Sequence, residues 1–133
     1  MTTDSAIDVE RVDFISVPVS DMARSTRFYE EVLGLRKAAG SGAWPEFELG
    51  NVSLILVDPA QMGHAFTAPH TAYIALRVAD VQAGRALLEA RGVTFERENF
   101  DTGVCHMAFF RDPDGNALML HHRYAPYADG RLP

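Results

Sequence analysis

The sequence has few cysteines, few basic residues and no long apolar run, which several classes of protein require. Its single cysteine, Cys105, excludes an internal disulfide, and with no second cysteine beside it a CxxC redox pair or a cysteine-based metal knuckle is excluded too. No apolar run approaches the roughly 20 residues that a membrane-spanning helix needs. Basic residues are in the minority, 12 against 18 acidic ones, for a formal charge of −6, so there is no basic stripe to neutralise a nucleic-acid backbone. Membranes and nucleic acids are therefore not predicted as partners.

The chain is also too short for two independent domains. With 133 residues, of which 47% are apolar, it can bury one ordinary core, and we predict a single domain. The first ten residues, MTTDSAIDVE, lack the basic-then-apolar order of a secretory signal, which favours a cytoplasmic protein.

What the chain does contain is an internal repeat. The segments FISVPVSD, from Phe14 to Asp21, and YIALRVAD, from Tyr73 to Asp80, both alternate like a strand and both lead into an amphipathic helix that ends at a glycine. The offset between the copies is 59 positions at both ends of the segment. A period of this length, present only twice, indicates two copies of one module rather than a solenoid. The modules are predicted at about residues 11–58 and 71–123, joined by a loop at 59–70 and followed by a tail at 124–133.

Each module follows the pattern strand, helix, strand, strand, strand. Strand-like runs follow the first helix at 35–38, 44–49 and 52–57, and the second helix at 94–97, 104–110 and 117–122. The last two runs are joined by DPDGN, from Asp112 to Asn116. Proline fixes one turn dihedral and glycine permits a positive φ, so this run predicts a hairpin turn, which explains its aspartates without a function.

The segments VPVSDMARSTRFYEEVLGL, IALRVADVQAGRALLEARGV and FFRDPDGNALML carry a family resemblance. Over residues 11–123 the chain resembles the vicinal oxygen chelate superfamily, the group of glyoxalase I, methylmalonyl-CoA epimerase, extradiol dioxygenases and bleomycin-resistance proteins. The resemblance implies an α+β fold, in which paired βαβββ modules form an open, U-shaped, eight-stranded barrel. It also implies a pocket in the trough of that barrel, commonly completed or flanked by a second subunit.

The resemblance further implies which positions would hold a metal ion. In metal-dependent relatives, one side chain on the first strand and one on the last strand of each module bind a divalent ion, and these positions fall on Phe14, Ile55, Tyr73 and Met119. Phe and Ile have no donor atom, a thioether suits only soft ions, and a neutral phenol is a poor ligand for hard cations. A register slip of one residue recovers at most one donor, Asp13, because the neighbours in the last strands are leucines. We therefore predict no metal and no other cofactor.

Without a metal, the trough is predicted to be an aromatic and apolar ligand site. Taking alternate residues along the strands places a set of side chains in it. The predicted ligand-binding residues are Phe14, Ser16, Trp44, Phe47, Ile55, Val57, Tyr73, Arg77, His106, Met119 and His121. Three of them have a second interpretation, in which Trp44 fills a core gap, the Tyr73 hydroxyl is satisfied inside the protein, or Arg77 is solvated or salt-bridged instead of pairing a ligand carboxylate.

His106 and His121 are the candidate catalytic residues, because histidine has a reference pKa near neutrality. If both face the trough from neighbouring antiparallel strands, they can bind a displaced metal or move a proton. The alternative is that each is a hydrogen-bonded histidine in the wall of a binding groove. His121 and His122 are adjacent, so only one of that pair can face the trough.

The resulting hypothesis is a binding protein of the bleomycin-resistance type, which holds a small aromatic or antibiotic-like molecule without metal. The alternative is an enzyme, a lyase, isomerase or dioxygenase, that uses relocated metal ligands or His106 and His121 as acid and base. A third hypothesis is an accessory module whose groove binds a peptide or partner surface. Because eight short strands leave sheet edges exposed, a homodimer is predicted as well.

Overall fold

A computed structural model describes residues 7–40, 42–67 and 69–133, and within these ranges the chain folds into two four-stranded sheets. The first module contains β1 (Phe14–Pro18), α1 (Met22–Arg27) with a π-helical turn after it (Phe28–Val32), β2 (Arg36–Lys37), β3 (Glu46–Glu48) and β4 (Ser53–Val57). A 3-10 turn (Pro59–Met62) follows in the loop. The second module contains β5 (Ile74–Arg77), α2 (Val81–Ala90), β6 (Phe100–Asp101), β7 (Cys105–Arg111) and β8 (Ala117–Arg123).

The two sheets repeat one topology. Their strand orders are β1-β4-β3-β2 and β5-β8-β7-β6, and in each sheet the first strand runs parallel to the last. A parallel pair requires a long crossover connection, which the helix and the two intervening strands supply. The predicted α+β fold of paired βαβββ modules is confirmed, and the sheets are not closed, in agreement with an open U-shape.

Each helix begins at the aspartate that the repeat singles out. The Asp21 carboxylate accepts a hydrogen bond from the Arg24 backbone N–H at 3.1 Å, and the Asp80 carboxylate accepts one from the Ala83 N–H at 3.0 Å. Gly34 follows the first helical segment with φ of +72°, a left-handed conformation that favours glycine. Within the described ranges, no helix has the length and apolar character needed to cross a membrane.

The core lies between the helices and one face of each sheet. Both modules contribute to one continuous apolar cluster, which contains Val17, Val19, Tyr29, Phe47, Leu54, Leu56, Val81, Leu88, Phe95, Ala108, Phe110, Leu118 and Leu120. Strand side chains alternate between two faces, so burying one face of each sheet leaves the other free. We call these two free faces together the trough.

The DPDGN turn links the modules in addition to closing its hairpin. The buried carboxylate of Asp112 accepts hydrogen bonds from the Tyr29 hydroxyl at 2.7 Å, from the backbone N–H of Asn116 at 2.8 Å, and from Asn116 Nδ2 at 2.7 Å. Asn116 Nδ2 also donates to the Pro18 carbonyl oxygen at 2.9 Å. Burial and the neighbouring Asp112 carboxylate raise the pKa of Tyr29, so its hydroxyl keeps the proton that it donates.

Asp114 of the same turn reaches the start of α1. Its carboxylate accepts hydrogen bonds from the Ser20 backbone N–H at 3.1 Å and from Arg24 Nη2 at 3.0 Å, and it also contacts the hydroxyls of Ser20 and Ser25. Residues far apart in sequence are thereby joined in one hydrogen-bonded network at the boundary between the modules. Turn chemistry alone is thus an incomplete account of these aspartates.

The strand predicted at 94–97 is wrong in position. Phe95 makes only an isolated bridge to Phe110, and the edge strand β6 comes later in the chain. Between them, Arg85 Nη1 donates to the Arg97 carbonyl oxygen at 2.7 Å and to the Asn99 side-chain oxygen at 2.8 Å. A side chain therefore satisfies a backbone group that a continuous ladder would have used.

Candidate functional site

The free face of the first sheet combines one exposed aromatic ring with half-buried apolar side chains and polar ones. β1 and β4 alternate, with Val17 and Leu56 buried against the helices. Their intervening residues line the trough, and the predicted ligand residues among them are Phe14, Ser16, Ile55 and Val57. Phe14 is 51% exposed, so an aromatic ring is presented to solvent where a ligand could cover it.

The free face of the second sheet carries an aromatic pair. Tyr73 and Phe109 lie edge to face with ring centroids 4.9 Å apart, and the Arg97 guanidinium lies 4.4 Å from the Phe109 centroid. The Tyr73 hydroxyl donates to Glu96 at 2.8 Å, and Glu96 in turn pairs with Arg111 at 2.7 Å. The hydroxyl is therefore satisfied within the protein, and what Tyr73 offers a ligand is its ring.

Positively charged and polar side chains gather at the opposite end of this face. Met119 lies beside Ala75 in the parallel pair of β5 and β8, and His121 lies beside Arg77 two residues further along. Desolvation lowers the pKa of His121 below its usual value, and the charges of Arg77, His122 and Arg123 lower it further. His121 is therefore a neutral hydrogen-bonding group next to a permanent cation.

A cavity of about 730 Å³ runs along the free edge of β5. Tyr73, Ala75 and Arg77 line it from the trough side. Its apolar walls come from both modules and include Ile15, Leu33, Leu35, Leu49, Leu76, Leu87, Leu88 and Leu120. The volume falls within the roughly 300–1,000 Å³ that is usual for sites of drug-sized ligands. This cavity, the β5 cavity, joins the trough of the second sheet to an apolar seam between the modules.

The prediction that Phe47 faces the trough is wrong. Phe47 is fully buried, lies opposite Leu54 in the β3–β4 pair, and packs on Tyr29 with ring centroids 5.9 Å apart. The register puts the flanking Glu46 and Glu48 on the trough side, because the large apolar ring gains more by packing against the helices. Trp44, which precedes β3, is 37% exposed, and its ring is accessible.

The prediction that His106 and His121 share the trough is also wrong. The hairpin places His106 opposite His122, and Met107 opposite His121. Since successive residues of a strand point to opposite faces, His106 lies on the helix side of the sheet with His122. The two candidate catalytic histidines are thus separated by the sheet itself.

His106 belongs to a cluster that sequence reasoning missed. Its Nε2 lies 3.3 Å from an Asp101 carboxylate oxygen, its ring centroid lies 4.9 Å from that of Tyr124, and the Tyr124 hydroxyl donates to Asp101 at 2.8 Å. These side chains line a separate cavity of about 470 Å³ beside the start of α2. The sequence did indicate the position of His106, because a hairpin turn centred on Asp114 pairs His106 with His122.

A comparison with protein families accounts for this architecture. The model of the Glyoxalase/Bleomycin resistance protein/Dioxygenase superfamily matches residues 11–120. The chain belongs to this superfamily. The resemblance inferred from the sequence motifs is confirmed. No curated protein sequence matches the chain.

Solved structures of other superfamily members have the same architecture. TnmS3, an antibiotic binding protein from Streptomyces sp. CB03234, is 31% identical with a TM-score of 0.73, and the match covers 89% of this chain and 99% of TnmS3. A glyoxalase/bleomycin resistance protein from the same organism is 33% identical with a TM-score of 0.66, over 85% of this chain and 100% of that one. Lactoylglutathione lyase from Agrobacterium tumefaciens, at 21% identity and a TM-score of 0.68, shares the fold over 85% of this chain and 93% of its own.

The side chains of this superfamily member do not suit the metal ion that some relatives bind. At the four positions that the resemblance assigns to metal ligands, the chain has Phe14, Ile55, Tyr73 and Met119, and the Tyr73 hydroxyl is bonded to Glu96. In the described part of the chain, no group of three or more His, Cys, Asp or Glu side chains is placed to hold a metal ion. The donor chemistry therefore supports no step through a metal, and the absence of one from the protein itself stays a prediction.

Proposed function

We propose that the protein binds a small aromatic or antibiotic-like molecule stoichiometrically and without metal, in the trough and the adjoining β5 cavity. The observation that carries the proposal is the chemistry of the β5 cavity, whose walls are mainly leucine and isoleucine side chains, with Glu48, Asn51 and Arg91 as polar members, and whose trough side carries the Tyr73 ring and the Arg77 cation. Such a surface favours planar apolar ligands, which the few polar groups of the protein orient.

The likeness to TnmS3 supports this proposal, since that protein is an antibiotic binding protein and matches nearly the whole chain at 31% identity. A role in antibiotic resistance, by holding a toxic molecule away from its target, is part of the proposal. A cytoplasmic location stays a prediction.

The sheet register argues against one of the two versions of the enzymatic alternative. An acid–base pair of His106 and His121 needs both side chains on one substrate, and the sheet register puts them on opposite faces. The version with relocated metal ligands needs a donor set elsewhere in the chain. Metal analysis of the protein separates that version from ligand sequestration.

The test of the proposed function combines metal analysis with ligand titration. We expect the purified protein to contain far less than one equivalent of transition metal per chain, and to bind planar aromatic compounds at one molecule per chain in isothermal titration calorimetry. The same compounds should be recovered chemically unchanged after incubation. Tightly bound metal near one equivalent per chain, or turnover of the compound, would refute the proposal.

We also propose that the protein is a homodimer. The free edges of the two sheets are β1, β2, β5 and β6, and on them Phe14 and Phe100 are 51% and 53% exposed. Pairing or covering such edges with a second copy removes unpaired backbone groups and apolar surface from water.

Light scattering after size-exclusion chromatography is expected to give the mass of a dimer at micromolar concentration. Replacing Phe100 by Asp should weaken the dimer, whereas Leu132→Asp, in the exposed tail, should leave it intact. A monomer mass for the unmodified protein at that concentration would contradict the proposal.

A further inference from the structure

The cationic end of the trough has more hydrogen-bond donors than the protein uses. The Arg77 guanidinium makes one long contact of 3.5 Å, from Nη1 to the carbonyl oxygen of Arg123. Among the residues that the structure describes, Arg77 is in no ion pair. An arginine side chain presents five N–H donors in a planar fork, so most of those of Arg77 remain available to a ligand.

Arg123, nearby on β8, makes more contacts within the protein than Arg77 does. Its Nε donates to the Ala125 carbonyl oxygen at 3.0 Å and its Nη2 to the Pro126 carbonyl oxygen at 2.8 Å. Its guanidinium carbon also lies 4.7 Å from the centroid of the Tyr127 ring. The chain after β8 therefore holds the charge of Arg123 in place, where it adds positive potential at this end of the trough.

The Arg77 site is positively charged in a protein that is acidic as a whole. The chain carries a formal charge of −6, and several arginines are paired with carboxylates, as Arg24 is with Asp114 at 3.0 Å and Arg111 is with Glu96 at 2.7 Å. Arg77 instead has neutral His121 beside it and faces the ligand cavity, in whose lining Glu48 is already paired with Arg36 at 3.7 Å. An unpaired cation next to an uncharged donor is an arrangement suited to an anion.

We propose that Arg77 and His121 bind an oxyanion of the ligand, a carboxylate or a phenolate, while the aromatic part of the ligand lies along Met119 and Tyr73. This inference rests on the proposed function, and it narrows the ligand class to aromatic acids and acidic phenols. The fork of Arg77 supplies paired, charge-assisted hydrogen bonds, and a ring N–H of His121 supplies one more.

The test compares pairs of probes that differ in charge and little in shape. One pair is 2-naphthoate and 2-naphthamide, and the other is 4-nitrophenol, an anion at pH 8, and neutral 4-nitroanisole, so that the two pairs distinguish a carboxylate from a phenolate. We expect the unmodified protein to bind the anion of at least one pair about tenfold more tightly than its neutral partner.

Matched variants locate the effect. Arg77→Met should lower affinity for the anion about tenfold and leave that for the neutral partner within about twofold, and Arg77→Lys should give an intermediate loss. His121→Phe should reduce anion affinity by about threefold. Arg27→Met, which removes the same charge from the exposed last residue of α1, should change neither affinity.

Three other outcomes would reject the oxyanion site, aromatic binding, or both. If the neutral member of both pairs binds as tightly as the anion, aromatic binding stands and the oxyanion site is rejected. If Arg77→Met weakens both members of a pair equally while its melting temperature is unchanged, the residue only shapes the cavity and the inference fails. If no probe of either pair binds to the unmodified protein, aromatic binding by the cavity is refuted, and the inference is refuted with it.

Discussion

Replacing Asp112 by alanine is expected to lower the free energy of unfolding by about 3–5 kcal/mol, a large part of the stability of a domain of this size. The buried carboxylate accepts four hydrogen bonds, from the Tyr29 hydroxyl, the Asn116 backbone, the Asn116 side chain and the Asp114 backbone N–H. Alanine leaves those donors without their acceptor in a region closed to water, and each orphaned donor costs free energy.

The loss should be measured by urea denaturation, with two controls on the same scale. Tyr29→Phe removes one of the four donors and should cost about 1–2 kcal/mol, because one acceptor site of Asp112 is left unsatisfied. Asp13→Ala removes an exposed carboxylate whose partner Arg11 is also exposed, and should cost less than about 0.5 kcal/mol. An Asp112→Ala protein within about 1 kcal/mol of the unmodified one would show that the turn does not hold the modules together.

Because Tyr29 and Asp112 come from different modules, the pair also tests coupling between them. The double variant Tyr29→Phe, Asp112→Ala should be less destabilised than the two single variants added together, since both remove the same 2.7 Å hydrogen bond. Strict additivity would mean that the bond contributes nothing to the joining of the modules.

Filling the trough at Ala75 is expected to reduce ligand affinity by about 100-fold, or roughly 2.7 kcal/mol. Ala75 lies beside Met119, between Tyr73 and Arg77, and it lines the β5 cavity. A tryptophan there occupies the space proposed for the aromatic part of the ligand. The strand should tolerate the change, because Ala75 is exposed and tryptophan is compatible with strands.

The matched control for Ala75→Trp is Ala86→Trp, at an exposed position of α2. Calorimetric titration with the tightest-binding aromatic probe should show the loss of affinity in the first variant only. Melting temperatures of both variants should stay near that of the unmodified protein. Unchanged affinity in Ala75→Trp would place the ligand outside the trough and the β5 cavity, and would reject the proposed function as stated.

The architecture was predictable because it depends on local signals that the chain repeats. Strand alternation, a capping aspartate and a terminating glycine recur with one offset, and the structure has both caps, at Asp21 and Asp80. Each signal acts within a few residues of itself, so no tertiary contact is needed to read it.

The site was predictable only in part, because the face on which each strand side chain lies depends on the exact pairing register of the strand. Phe14, Ser16, Ile55, Val57, Tyr73, Arg77, Met119 and His121 share the trough faces in the structure. Phe47 and His106 do not, because β3 pairs with β4 so that Phe47 meets Leu54, and β7 pairs with β8 so that His106 meets His122. In a sheet, a shift of one residue exchanges the two faces.

The sequence by itself determined the repeat, the capped helices and the lack of metal-binding side chains at Phe14, Ile55, Tyr73 and Met119, because each of these is a property of residue type and spacing. The tertiary structure alone decided that Asp112 and Asp114 join the modules and that Arg77 stands beside a neutral His121. The reason is that partners far apart in the sequence, 83 residues for Tyr29 and Asp112 and 44 for Arg77 and His121, are brought together by the packing of whole sheets.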